Sequence, residues 1–126
     1  MTIIDPPGDD GAIPRSSMPQ IDEGDLGELL VFLGKNGVHV SAGVVDPIAC
    51  RAHQAINTDR AMAIPAEVLQ KPCIVSRDFY IIDGDHRWYR HTVDKTMMPF
   101  VMIRLPFAEA IRHIFQFPKT YEEKSA

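Results

Sequence analysis

Five consecutive residues carry the densest group of ionisable side chains in the chain: Asp83, Gly84, Asp85, His86 and Arg87. They follow directly on "FYIID" (79–83), a run that reads as a strand, and they precede a stretch that reads as a helix. At such a junction glycine permits a positive φ or a close approach of backbone to ligand. The first amides of the following helix point outward at the positive end of its dipole, which makes an anion site. His86 and Arg87 add side-chain donors, and a guanidinium can grip a phosphate through two parallel bonds. Asp83 and Asp85 are carboxylates of the kind that binds Mg2+ or acts as a general base. The same pattern admits a plainer reading, in which Asp85 caps the helix, Asp83 bonds the amides of the turn, and His86 and Arg87 are solvated.

Around this cluster the elements alternate. Leu26, Leu29, Leu30 and Leu33 share a helical face behind a cap at Asp22 or Asp25, and Gly34 and Gly37 end that helix. "VHVSAGVV" (38–45) reads as a strand. Asp46-Pro47 opens a helix or helical turn within 46–61, and Pro65 heads a short helix over 64–70. "PCIVS" and "FYIID" make a hairpin over 72–83, a helix spans about 85–94, "PFVMIRL" (99–105) is a strand, and 107–115 is a helix with Phe107, Ile111 and Ile114 on one side. This order gives an α/β (α+β) domain with a small mixed sheet flanked by helices. Residues 1–14, rich in Pro, Gly and Asp, read as a flexible arm, 15–117 as the domain, and 118–126 as a polar, fraying tail.

The bulk numbers bound the function. A chain of 126 residues builds one modest core. A net charge of -4 argues against a broad binder of duplex DNA. No apolar run reaches the roughly 20 residues of a membrane span, and no leader segment is apparent, so a cytoplasmic location is expected. Cys50 and Cys73 lack CxxC spacing and read as reduced, buried thiols.

The block "KPCIVSRDFYIIDGDHRWYRH" (71–91) resembles the signature segment of the ParB-like, sulfiredoxin-like superfamily. Lys71-Pro72, Ile74-Val75, Tyr80 to Gly84 and His86-Arg87 stand where that pattern has them. "VVDPIACRAHQAINTDRAMAI" (44–64) is similar to the family's strand, glutamine loop and helix. "RSSMPQI" is similar to an upstream motif through Arg15, Met18, Pro19, Gln20 and Ile21. The resemblance covers roughly 15–105. It implies a nucleotide-phosphate cradle built from Gly84, Asp85, His86 and Arg87, with Gln54, Arg15 and Gln20 near the nucleotide and Mg2+ on Asp83 and Asp85. Asp83, Asp85, His86 and Gln54 are then the catalytic candidates, and ATP or a related nucleotide is the cofactor.

Departures limit that transfer. The catalytic cysteine of sulfiredoxins falls at Asp85, so sulfinic-acid reduction is not expected. The Glu-Arg of partitioning proteins is replaced by Asp85-His86, and no DNA-binding helix-turn-helix is expected after the box. A Glu common near Gln54 in related kinases and nucleases is missing, with Asp59 the nearest downstream carboxylate and His53 a candidate base. Three readings stay open: an Mg2+-dependent ATPase or kinase-like phosphotransferase acting on a small-molecule acceptor, a ParB-like nuclease acting on DNA, or a non-catalytic nucleotide-binding regulator of phage or plasmid origin. Trp88 or Tyr89 is expected in the core, as are Met97, Met98, Met102 and Phe100 or the sheet edge. Lys71 is expected in solvent, His91 exposed or behind the site, and His39 and His113 show no partner.

Overall fold

The computed structural model describes residues 3–4, 19–20, 23–52, 55–119 and 121–122. Among them a four-stranded mixed sheet runs in the order β3 (Val40–Val45), β7 (Met98–Ile103), β5 (Cys73–Ser76), β6 (Ile81–Asp83). β3 and β7 pair antiparallel, β7 and β5 parallel, and β5 and β6 antiparallel as the expected hairpin. The fold class is therefore α+β, a small mixed sheet with helices on it.

Strand alternation sorts the core into two layers, since successive side chains face opposite ways. Ile74, Ile82 and Ile103 point to one face. There they meet Leu29 and Leu33 of α1 (Leu26–Lys35) and Phe107, Ala110, Ile111 and Ile114 of α5 (Phe107–Phe115). Cys73, Val75, Ile81, Met98 and Met102 point to the other, against Cys50 and Trp88 of α4 (Asp85–Asp94). Each fully buried aliphatic side chain contributes about 1.5–3 kcal/mol. The helical spacing of Leu29 and Leu33, and of Phe107, Ile111 and Ile114, is what aims them at the sheet.

Two elements depart from the sequence expectation. Asp46 does cap a helical start, its Oδ1 accepting the Ile48 amide at 3.1 Å, but only one 3-10 turn follows, Pro47–Ala49. The chain then extends: Arg51 bridges Tyr80 in parallel, so 46–61 is not one helix. β4 (Ile56–Asn57) comes next, and α2 (Thr58–Met62) begins with Asn57 as its cap, Oδ1 accepting the Arg60 amide. α3 (Ala66–Leu69) starts behind Pro65 as expected. Asp25 stands at the α1 start without a side-chain cap and instead pairs with Lys119. The second departure lies at the ends. β1 (Ile3–Ile4) pairs with β4, and β2 (Pro19–Gln20) pairs with β8 (Tyr121–Glu122). Backbone ladders thus tie down positions expected in a loose arm and a fraying tail.

Candidate functional site

The turn from β6 into α4 is set by Gly84. Its φ of 105° lies in the left-handed region, and a Cβ there would stand 2.7 Å from Cys73 Sγ and 2.9 Å from Arg87 Nη2. Both the dihedral and the space exclude a side chain. The Gly84 carbonyl accepts the Trp88 amide at 2.9 Å, the first bond of the helix. Having no side chain, Gly84 gives α4 no side-chain cap, so the helix opens on backbone alone.

Arg87 is half-buried and structural. Its Nη1 donates to the carbonyls of Lys71 and Pro72, both at 3.2 Å, and Nη2 lies 3.7 Å from Asp83 Oδ2. These bonds tie α4 to the entry of β5. A two-pronged grip on a phosphate would have to break them. His86 turns toward the segment after Gln54: its Nε2 accepts the Asn57 amide at 3.1 Å. An accepting Nε2 places the ring proton on Nδ1 and holds the ring neutral in this arrangement. Asp85 is buried, 3% exposed, in the first turn of α4, where the helix dipole stabilises its negative charge. Asp83 ends β6 half-exposed beside Arg87.

The segments expected to converge do so where they are described. Arg51 donates its amide to the Phe79 carbonyl and accepts the Ile81 amide, at 2.9 and 2.8 Å, and Asn57 meets His86. Residues 51 and 57, on either side of 53–54, therefore lie along the 79–86 segment. His53, Gln54 and Arg15 lie outside the described residues, and Gln20 is described only as backbone in β2.

Both thiols are free and buried. Burial pushes Cys50 up to about 11 and Cys73 up to about 12, against the lesser opposing pull of Arg87 on Cys73. Cys73 lies directly under the turn, its Sγ 3.5 Å from the Gly84 carbonyl, as an unreactive thiol. As for Mg2+, among the described residues no group of three or more His, Cys, Asp or Glu is arranged around a common point. Mg2+ asks for less, one or two carboxylates with several waters and substrate phosphates. Asp83 fits that demand; Asp85, at 3% exposure, has little room for the waters.

Other side chains settle into packing. Trp88 donates Nε1–H to the Pro47 carbonyl at 2.7 Å and belongs to the core. His91, expected exposed or behind the site, is buried: Nε2 lies 3.1 Å from the Leu69 carbonyl and Nδ1 2.8 Å from Thr96 Oγ1. Lys71 is half-buried rather than in solvent, and Met97, unlike Met98 and Met102, is exposed. Asn57 was missed by sequence reasoning as a contact of the site. Its signal was present, an Asn ahead of Thr-Asp-Arg at a helix start, but it pointed only to capping.

Compared with protein-family models, with curated proteins and with solved structures, the chain matches none of them.

Proposed function

We propose that this domain binds the phosphates of a nucleotide at the Asp83–Arg87 turn, with ATP hydrolysis or phosphoryl transfer as its chemistry. One observation carries the reading. The first turn of α4, entered through left-handed Gly84, is joined by His86 to Asn57, three residues beyond Gln54. Two segments distant in sequence, each matching part of the resemblance, thus share one location. The positive end of α4 favours an anion there, and the Nδ1–H of His86 adds a donor. Arg87 contributes its charge at short range while its Nη1 stays on the β5 carbonyls. Asp83 is the residue to hold Mg2+, which when bound would offset the phosphate charge.

A second reading is favoured by the burial of Asp85 and the occupied Nε2 of His86, which engage two candidate bases in structure. In it the domain binds nucleotide without turning it over. Thermal unfolding with ATP, ADP or CTP, with and without Mg2+, tests what the two readings share. Occupancy at a hundredfold excess over Kd adds about 2.7 kcal/mol and raises Tm by several degrees. An unchanged Tm at millimolar nucleotide contradicts both. Phosphate release from ATP then separates them: turnover lost in Asp83→Asn supports catalysis, and binding without release supports the regulator.

A further inference from the structure

β3 forms one edge of the four-stranded sheet, and its outer side carries no strand among the described residues. The opposite edge, β6, is flanked at its start by Arg51, bridged to Tyr80. The ladder alternation fixes which β3 groups face outward. The Arg104 amide donates to the His39 carbonyl at 2.9 Å, and His39 stands one residue before the Val40–Ile103 pair. Odd-numbered residues therefore bond β7, and the amides and carbonyls of Val40, Ala42 and Val44 point away from the sheet.

Edge strands are normally guarded by charge, proline, a bulge or a cover. "VSAGVV" (40–45) has no charge and no proline, its register with β7 is unbroken, and Ala42, Gly43 and Val44 are exposed, Val44 to 63%. We propose that a second copy of this chain pairs with this edge, β3 to β3, antiparallel about a twofold axis at Ala42. A twofold perpendicular to the sheet keeps each side chain on its own face, so residues of equal parity must oppose one another. Centring on Ala42 sets Ala42 against itself and Val40 against Val44, and every outward amide and carbonyl of the three residues finds a partner. The opposed pairs suit the contact. The small Ala42 sits at the axis, exposed Val44 gains a β-branched neighbour, and Ser41 meets Gly43. His39 falls opposite Val45, so no like charges meet, although each chain carries -4 overall. The product is a continuous eight-stranded sheet. A second copy is the occupant this register satisfies in full, because the edge is complementary to itself.

Sedimentation equilibrium from micromolar to millimolar protein tests the pairing. The expected result is a reversible species of twice the 14.1 kDa of one chain. Ala42→Pro removes an outward amide and leaves the β7 ladder intact, and Val44→Lys places a charge at an exposed edge position. Both variants should be monomeric over the same range, with wild-type circular dichroism. Hydrogen exchange should slow at the Val40, Ala42 and Val44 amides as wild-type concentration rises. A wild type that stays monomeric throughout, or a dimer that survives both variants, overturns the proposal.

Discussion

Gly84 shows most directly how a single residue type decides the local structure. An alanine there would adopt an unfavourable left-handed backbone, at about 1–2 kcal/mol, and would press on Cys73 Sγ and Arg87. Overpacking of that kind adds about 1–3 kcal/mol. Gly84→Ala is expected to lower stability by about 2–4 kcal/mol in urea unfolding, with the slope unchanged. Cys73, beneath it, carries a pH signature. Its folded pKa of about 12 stands above the ordinary 9.0 of an exposed thiol. The buried neutral thiol therefore contributes its full stability below about pH 9, and that contribution is lost as pH rises from about 9 toward about 12. Urea midpoints should fall across that range, and less steeply in Cys73→Ala. At pH 8 an aromatic disulfide reagent should label neither cysteine until the protein unfolds.

The helix α4 is held to its surroundings by three polar ties: Arg87 to the carbonyls at the entry to β5, Trp88 to Pro47, and Arg90 to the carbonyls of Met62 and Ile64. Arg87→Ala leaves those β5 carbonyls and Asp83 without their charged partner, a loss of about 2–3 kcal/mol. Trp88→Phe removes one bond, at about 1 kcal/mol, with little change in packing. Chemical denaturation of the two variants checks that ranking; an Arg87→Ala as stable as wild type would mean that Arg87 is not the tie described. At this scale the sequence was most informative where period and punctuation agreed. Asp85–Asp94 and Phe107–Phe115 run between a glycine or proline start and a clear stop, and both helices were legible to the residue. The 46–61 segment was not. Its Asp-Pro start was genuine, but the parallel bridge of Arg51 to Tyr80 draws the chain into extended form, and no local propensity encodes a partner 29 residues away.

For the whole molecule, the legible part of the site was its chain of chemistry-bearing residues, Asp83 to Arg87, and the illegible part was how they are used. Side-chain type alone could not say that Arg87 would turn back to the β5 carbonyls or that His86 would accept from Asn57, because both contacts depend on how β4 and β5 pack against α4. What unites the molecule is the meeting of 51–57 with 79–87 at the positive end of α4, and the central claim is that nucleotide phosphate binds there. Amide chemical shifts of isotopically labelled protein, followed by NMR as ATP and Mg2+ are added, test this most directly. The account predicts saturable shifts confined to Gly84, Asp85, His86 and Arg87 and to the Asn57 amide bonded to His86. Saturating ATP that leaves those amides unmoved, or that moves a different surface instead, would contradict it.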